Sequence, residues 1–327
     1  MNNTIFLSIC IPTYNRSNYL KKCIESIISQ DGFNAKNIEI LISDNASPDN
    51  TEEIVKSFQD KFPNVRYIKN NTNLGAERNI LNLLNNFQGE YFFLLTDDDI
   101  LLPNLLAKLK QIITHNSECS VFLSSYEVFS EKQKRTYIRH TFLISKKIPK
   151  SDIKDIVKFY NASSVASRIC IRREFIDTEG YSNHMKSLYP CMYLVGYAAL
   201  NGTSFYTKDL LIRHTRENVI FWDYPDDYML NDKINLIKDL SKFDNRFYTI
   251  AFASLIINDM PDAIIDAIFK RPRKFCKLIR AIYKMPQIKS NPNLWVKIFY
   301  NFFRKLIGII ARKIYKIFCK LPYHYYE

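Results

Sequence analysis

The chain has 327 residues, of which 47% are hydrophobic, so it can form at least one sizeable core and has room for two domains. Its 46 Lys and Arg residues against 33 Asp and Glu residues give a formal net charge of +13, and its seven Cys residues are scattered without a CxxC pair. The amino terminus lacks a signal-peptide pattern and no apolar run reaches ~20 residues, so we expect a cytoplasmic protein without a zinc site or a membrane-spanning helix.

The first part of the chain alternates strands with helices. Strands are predicted at residues 7–11, 38–42, 65–68 and 91–95, and helical spacing of apolar residues follows the first strand and recurs at 77–87. Asn50 with Glu53 three residues later predicts a capping box for the helix after the second strand. The alternation is typical of βαβ units, so we predict an α/β fold with a mainly parallel sheet flanked by helices.

The fourth predicted strand runs directly into three acidic residues, Asp97–Asp99. Adjacent carboxylates raise each other's pKa unless a positive group lies between them, and a divalent cation bound through oxygen is the simplest such group. The alternative is an acidic helix N-cap, because Leu101–Pro103 introduces the next predicted helix.

Two other loops, 12–16 and 43–50, also follow predicted strands. The carboxyl ends of parallel strands meet at one edge, so Tyr14 and Asp44 should lie near the acidic triplet. An aromatic side chain and a hydrogen-bonding acid suit a nucleobase. Alternatively, Tyr14 covers its own loop, and Asp44 closes an Asx-turn.

Arg78 enters the same region from the loop at 70–79, and an Arg beside a cation suits a diphosphate. The sequence has neither a GxGxxG after the first strand nor a GxxxxGK[ST]. A dinucleotide-binding fold and a P-loop are therefore disfavoured.

Four motifs occur in this order: Ile11–Arg16, Ser43–Ser47, Asn73–Asn79 and Thr96–Asp99. Together they resemble the family 2 glycosyltransferases with the GT-A (Rossmann-like) fold, and among these the bacterial sugar transferases of O-antigen and capsule synthesis, such as abequosyltransferase-like enzymes. The resemblance is good over roughly residues 5–125 and weak over 160–218.

The resemblance implies a role for each matching residue. Asp98 would hold Mg²⁺ or Mn²⁺ against a diphosphate, with Asp99 as an alternative or second acid. Asp44 would bind the edge of the base. The full set implied in donor binding is Pro12, Thr13, Tyr14, Arg16, Asp44, Arg78, Asp97, Arg213 and His214.

An inverting transfer also needs a general base near the acceptor hydroxyl. The resemblance places an acid on a helix shortly before Gly202, but Pro190 and Cys191 stand there. We predict Asp177 or Glu179 as the base. Further candidates are Glu174 and His184.

We expect a catalytic domain over residues 1–220, with a nucleotide-sugar half at 1–125 and an acceptor half at 126–220. Residues 130–150 contain seven Lys or Arg residues and are interpreted as a solvated connection. Helical spacing replaces the strand pattern in 221–327, the predicted carboxyl-terminal region.

Residues 267–326 hold 15 Lys or Arg residues and no Asp or Glu, so the rest of the chain has 31 basic and 33 acidic residues. We predict that basic amphipathic helices here bind an anionic inner-membrane surface. Alternatives are packing on the catalytic domain and nucleic-acid binding, which is disfavoured. One helical stripe comprises Lys297, Asn301, Arg304, Lys305, Gly308, Arg312, Lys316 and Lys320.

The resulting hypothesis is a metal-dependent, inverting glycosyltransferase, peripheral on the cytoplasmic membrane. It would move a sugar from a nucleotide-diphospho-sugar to a lipid-linked or envelope glycan of the O-antigen, capsule, lipooligosaccharide or teichoic-acid type. One alternative is a relative that binds sugar nucleotides but has lost catalysis, because 190–191 lacks an acid. A nucleotidyltransferase would need a Gly-rich basic loop, which 12–16 lacks.

Overall fold

One sheet of ten strands organises the amino-terminal part of the computed structural model, which describes residues 5–130, 134–215, 226–255, 257 and 292–319. The strands are β1 (Leu7–Thr13), β2 (Ile38–Asp44), β3 (Val65–Lys69), β4 (Tyr91–Leu94), β5 (Ile100–Leu101), β6 (Cys119–Ser130), β7 (Arg135–Arg139), β8 (Lys146–Ile148), β9 (Ile169–Arg172) and β10 (Thr203–Thr215). The helices over the described ranges are α1 (Ser17–Ile28), α2 (Thr51–Gln59), α3 (Ala76–Asn86), α4 (Leu105–His115), α5 (Ile153–Ala162), α6 (Thr178–Asn183), α7 (Pro190–Asn201), α8 (Asp226–Leu240), α9 (Asn245–Ser254) and α10 (Pro292–Cys319).

The strand order is β3-β2-β1-β4-β9-β6-β10-β5, with β7 paired to β6 and β8 to β10. Strands β3, β2, β1 and β4 are parallel neighbours. Strand β9 is antiparallel to both β4 and β6, and β10 is parallel to β6. The predicted mainly parallel α/β sheet is confirmed, with one reversed strand inserted at its centre.

Strand β4 lies at the centre of the sheet and all four of its residues are buried. Parallel strands covered on both faces are apolar on both faces, which explains the uninterrupted run of Tyr, Phe, Phe and Leu. Tyr91 and Phe93 belong to the same core cluster as Ile9 and Ile11 of β1 and the apolar stripe of α1. This core fixes the carboxyl ends of β1 and β4 side by side.

The helix starts differ from two expectations. Asn50 precedes α2 but its side chain makes no capping bond, so the predicted capping box is wrong. Asp49 satisfies that turn instead, accepting from the Thr51 amide at 3.2 Å and the Ser17 amide at 2.9 Å. The acidic triplet is not an N-cap either, because β5 follows it and α4 begins only after Asn104.

The predicted solvated connection at 130–150 is mostly exposed in its described part, but it also contains two strands. Strand β7 pairs with β6 and strand β8 pairs with β10, so the segment extends the sheet. The sequence pattern is obscured because β7 is an edge strand whose residues are all partly or fully exposed.

A buried asparagine, Asn79 of α3, ties that helix to the strand ends. Its Nδ2 donates to the Ser43 carbonyl at 2.8 Å and lies 3.5 Å from the Thr13 carbonyl, while its Oδ1 accepts from Ser43 Oγ at 2.6 Å. Asn79 therefore holds the first turn of α3 at the edge where β1 and β2 end.

The chain divides into two compact units, 1–220 and 221–327. In the second unit, Asn301 of α10 donates to the Ile257 carbonyl at 3.2 Å. The side chains of Arg312 and Lys316, the residue Lys320 and the basic segment 258–291 lie outside the described residues.

We predict that Asn79→Ala destabilises the fold by about 1–3 kcal/mol, because it leaves buried partners of the amide unsatisfied. Urea denaturation measures the change. Asn85→Ala on the exposed face of the same helix is the matched control and should shift stability little. Equal losses of stability in the two variants would contradict the role assigned to Asn79.

Candidate functional site

Loops from β1 and β4 meet at the carboxyl edge of the sheet. Thr13 Oγ1 donates to Asp97 Oδ2 at 2.7 Å. Arg16 Nη1 lies 3.3 Å from Asp97 Oδ1 and 2.9 Å from Asp98 Oδ2. The parallel β1–β4 pairing produces this contact, since Leu95 continues from β4 by donating to the Cys10 carbonyl.

Asp97 and Asp98 share one cationic partner, the guanidinium of Arg16. The side chain of Asp97 is 6% exposed and that of Asp98 12%, whereas that of Arg16 is 31% exposed. Burial and the charge of Asp98 raise the pKa of Asp97 to about 6, although Arg16 and Thr13 oppose the rise. Burial and the charge of Asp99 also raise the pKa of Asp98. The site is therefore short of positive charge.

The third acid, Asp99, is fully buried and faces a different set of donors. Its carboxylate accepts from Thr96 Oγ1 at 2.9 Å and from the Thr215 amide at 3.1 Å, and it lies 3.0 Å from His214 Nδ1. Because β10 ends beside the triplet, the structure brings His214 and Asp99 together across 115 residues of sequence.

The imidazole of His214 is partly exposed and its edge meets the ring of Tyr126, 6.4 Å between centroids. Burial favours its neutral form, but the hydrogen bond and charge of Asp99, with Asp98, outweigh burial and raise the pKa of His214. A positively charged His214 beside two acids would present one donor to an anionic ligand.

Asp44 lies at the end of β2 and is completely buried. Its Oδ1 accepts from the Ser47 amide at 2.9 Å and its Oδ2 from the Tyr67 hydroxyl at 2.5 Å. Burial and the Asp44 carboxylate raise the pKa of Tyr67, so that hydroxyl remains a donor. The turn-closing role of Asp44 is thus present, and its contact with a nucleobase stays a prediction.

Other predicted donor-binding residues form a more exposed rim. Tyr14 is 42% exposed, Pro12 is partly buried and Arg78 is exposed without an ion-pair partner among the described side chains. Asn15, beside Tyr14, has a φ of 54°, and its amide donates to Ser47 Oγ at 2.9 Å. This bond connects the β1 loop to the β2 loop.

Arg213 precedes His214 in β10 but its guanidinium forms an ion pair with Glu127 and lies 5.8 Å from the centroid of the Phe129 ring. Its side chain is 40% exposed. The adjacent residues Arg213 and His214 therefore do not share a partner, as expected from the alternation of side chains along a strand.

The two predicted bases differ in environment. Asp177 caps α6, with Oδ1 accepting from the Gly180 amide at 2.8 Å and Oδ2 from the Tyr193 hydroxyl at 2.7 Å. Glu179 is exposed on α6. The ring of His184 lies 4.7 Å from that of Tyr193, and Glu174 pairs with Arg172. The assignment of the base to Asp177 or Glu179 stays a prediction.

An asparagine network supports the site and was missed from the sequence. Asn45 Oδ1 accepts from the Leu74 amide at 2.8 Å and from Asn70 Nδ2 at 3.0 Å, and Asn45 Nδ2 donates to Asn73 Oδ1 at 2.7 Å. The repeated Asn of 70–73 was the available signal. The network joins the β2 loop to the start of α3, next to Arg78.

Among the residues that the structure describes, no three His, Cys, Asp or Glu side chains converge as a ready-made metal cluster. The side chains that could serve a hard cation are the carboxylates of Asp98 and Asp99.

The chain matches the model for Glycosyl transferase family 2 over residues 8–180, which is more than half of its length. The chain belongs to this family. The predicted family is confirmed.

Two relatives of this family 2 member are named as sugar transferases. It is 40% identical over 121 residues to the abequosyltransferase RfbV of Salmonella typhimurium, covering 36% of this chain and 35% of that protein. It is 39% identical over 106 residues to GalNAc(5)-diNAcBac-PP-undecaprenol beta-1,3-glucosyltransferase of Campylobacter jejuni, covering 32% and 33%. The matches thus span about a third of these relatives' length.

Solved structures show the same fold. The family 2 chain resembles residues 1–349 of S. aureus TarS in complex with UDP-GlcNAc, with a TM-score of 0.61 at 16% identity over 91% of this chain and 89% of that one. It also resembles the mannosyltransferase PcManGT of Pyrobaculum calidifontis in complex with GDP-Man and Mn²⁺, with a TM-score of 0.53 at 13% identity over 98% and 89%. The GT-A fold prediction is confirmed.

The raised pKa of Asp97 generates a pH prediction for the protein in EDTA. A carboxyl group whose pKa rises on folding contributes stability below its unfolded value of 3.8 and loses it as the pH rises through about 6. We predict a loss of roughly 2–3 kcal/mol of unfolding free energy at Asp97 between pH 4 and pH 7.

Urea denaturation at both pH values of wild type and Asp97→Asn measures this effect, because the amide does not ionise. Asp97→Asn should lose less stability over the range, whereas Asp31→Asn, at an exposed position, should follow wild type. A variant Asp97→Asn with the wild-type pH dependence would contradict the assignment.

Proposed function

We propose that this chain is a glycosyltransferase that moves a sugar from a nucleotide-diphospho-sugar to a cell-envelope glycan, with inversion at the transferred carbon. The observation that carries the proposal is the convergence of Thr13, Arg16, Asp97, Asp98 and His214 at the carboxyl edge of the sheet. In open α/β sheets this edge is the usual ligand site.

The donor nucleotide is proposed to lie across the ends of β1 and β2. Tyr14 offers an exposed aromatic face, Arg78 an exposed guanidinium, and Asn45 together with Asn79 fixes the loops between them. Two neighbours of the same fold were solved with UDP-GlcNAc and with GDP-Man, and these bound molecules support a sugar-nucleotide donor here.

A divalent cation, Mg²⁺ or Mn²⁺, is proposed to bind at the triplet. The acids fit such an ion, because the pKa values of Asp97 and Asp98 are raised even though the cationic side chains of Arg16 and His214 lie beside the triplet. A divalent cation would supply the positive charge that the site lacks. Asp98 is the most accessible of the three acids, and Asp99 beside it is an alternative or second oxygen ligand. The bound ion would neutralise charge that develops on the leaving diphosphate.

The basic side chains would assist departure of the nucleoside diphosphate. Arg16 and His214 already face the acids, and Arg213 lies one residue before His214 on β10. Preorganised cations around a leaving phosphate stabilise its developing charge without reorganisation. Their partner acids keep them in place before the donor arrives.

The acceptor is proposed to be a lipid-linked or envelope glycan, on the support of the names abequosyltransferase RfbV and the undecaprenol-linked glucosyltransferase. A lipid-linked acceptor fits a peripheral position on the inner face of the cytoplasmic membrane. Over its described residues, the chain has no helix that is both long and apolar enough to cross a bilayer.

Helix α10 supplies a surface suited to lipid. Val296, Tyr300 and Ile307 are each about two-thirds exposed, and Phe303 is 54% exposed. These residues follow the spacing of one helical face. Exposed Lys297 and Arg304 lie on the same helix, so apolar contact and attraction to anionic lipid would act together.

The donor site is tested by thermal shift with UDP, GDP, CDP and dTDP, free and sugar-linked, with and without Mn²⁺. We predict that one nucleotide raises the melting temperature of wild type in a Mn²⁺-dependent way and that Asp98→Asn abolishes the Mn²⁺-dependent part, because its carboxylate is the accessible ligand. The exposed-site control Asp31→Asn should retain it. No response of wild type to any nucleotide with Mn²⁺ would contradict the proposal.

Turnover separates an enzyme from a relative that only binds. Release of nucleoside diphosphate from the selected sugar nucleotide is expected for wild type. Binding without any release, in the presence of a bacterial lipid-linked glycan extract, would favour the catalytically inactive alternative.

The membrane role is tested with vesicles of phosphatidylglycerol or phosphatidylcholine. We predict that the full chain sediments with phosphatidylglycerol vesicles and that the double variant Tyr300→Ser/Phe303→Ser loses most of this binding, because it removes two exposed aromatic contacts. Ile138→Ser, at a similarly exposed position on β7, is the control. Undiminished binding of the double variant would overturn the role of α10.

A further inference from the structure

Glu77 is a half-buried carboxylate that is not among the residues of the site described above. It lies in the first turn of α3, where a negative charge is favoured by the helix dipole. Its Oε2 folds back toward Gly75, 3.5 Å from the position that a Cβ on that residue would take. Among the described side chains, its carboxylate has no hydrogen-bond or ion-pair partner.

The surroundings of Glu77 join three helices. The Tyr181 hydroxyl of α6 donates to the Glu77 carbonyl at 3.0 Å, and Tyr181 also interacts with Cys191 in the first turn of α7. Glu77 therefore lies beside the start of α7, where the sequence has Pro190–Cys191 and no acid of its own.

Five buried or partly buried acids near this edge already have partners. Arg16 holds Asp97 and Asp98, and Asp99 accepts three bonds. Asp44 accepts two, and both oxygens of Asp177 are bonded to a helix amide and a tyrosine hydroxyl. These bonds occupy carboxylate lone pairs that would otherwise be able to accept a proton.

The position of Glu77 relative to the donor site is fixed by its own helix. Asn79, two residues later, bonds to the strand ends, and Thr13 beside it contacts Asp97. Asn79 faces the sheet, and the backbone carbonyl of Glu77 two residues earlier accepts from Tyr181 of α6. The first turn of α3 therefore joins the donor edge to the region of Tyr181 and Cys191.

We propose that Glu77 is the general base for the acceptor hydroxyl, an inference that rests on the proposed glycosyl transfer. Its carboxylate takes the hydroxyl proton as the acceptor oxygen forms its bond to the anomeric carbon. The bond from that carbon to the diphosphate oxygen breaks, and its electron pair leaves with the nucleoside diphosphate. The products are the glycoside, the nucleoside diphosphate and protonated Glu77, which returns its proton to solvent.

Two neighbours of Glu77, Tyr181 and Cys191, have raised pKa values. Burial, Cys191 and Glu77 itself raise the pKa of the Tyr181 hydroxyl. Burial and the charge of Glu77 also raise the pKa of the Cys191 thiol. Both groups are therefore held in their neutral, protonated forms.

The test uses the full chain, the sugar nucleotide that stabilises it most, and release of nucleoside diphosphate to water as the readout. Glu77→Gln should lower this rate by about 10²–10⁴-fold, the range for loss of a general base, with unchanged nucleotide affinity and melting temperature. Glu53→Gln, an exposed acid in the first turn of α2, is the matched control and should keep the wild-type rate.

Sodium azide gives a readout that a structural role would not move. Azide carries no proton to remove, so it should restore nucleoside diphosphate release by Glu77→Gln and yield a glycosyl azide. Glu77→Asp, which retains a carboxylate, should keep part of the hydrolytic rate without azide.

Unchanged hydrolysis by Glu77→Gln would overturn the proposal, as would a loss that azide does not restore. An azide-restored loss in Asp177→Asn or Glu179→Gln, with Glu77→Gln unaffected, would transfer the role to that residue. Absence of turnover in wild type with every sugar nucleotide would instead refute the proposed glycosyl transfer itself, and Glu77 as its base with it.

Discussion

Three consecutive carboxylates at the end of a buried strand must be kept apart and neutralised, and the rest of the site follows from that constraint. The structure separates them by giving each a different set of donors. Asp97 is bonded to Thr13 and Arg16, and Asp98 is paired with Arg16. Asp99 is bonded to Thr96, Thr215 and His214. The donors come from β1, from the triplet's own turn and from β10, so the site exists only when these strands are in register.

This arrangement explains why the sheet has its particular order. Strand β1 must be next to β4 to bring Thr13 to Asp97, and β10 must end nearby to bring His214 to Asp99. The antiparallel β9 lies between β4 and β6 and connects the two parallel halves. Raised pKa values at Asp97 and Asp98 show that this balance is incomplete. A diphosphate with a divalent cation, as proposed, would complete it.

The sequence predicted local features well because they depend on patterns over a few residues. Strand β4, the acidic triplet and the strand-end loops were all visible, and four ordered motifs were sufficient to recognise the family. Long-range pairings were not visible: His214 contacts Asp99 across 115 residues, and β9 joins the sheet through a four-residue strand with no signal of direction. Asn50 matched a capping pattern, yet Asp49 made the bonds, because two neighbouring polar residues compete for the same amides. The individual site roles remain predictions.

The central claim is that the triplet binds a divalent cation together with a nucleoside diphosphate. Electron paramagnetic resonance of Mn²⁺ measures this directly, because the signal of free Mn²⁺ falls when the ion is bound. We expect weak binding to wild type alone, much tighter binding when the cognate nucleoside diphosphate is added, and no such increase in Asp98→Asn. Mn²⁺ binding that is unaffected by every nucleoside diphosphate, or equal in wild type and Asp98→Asn, would contradict it.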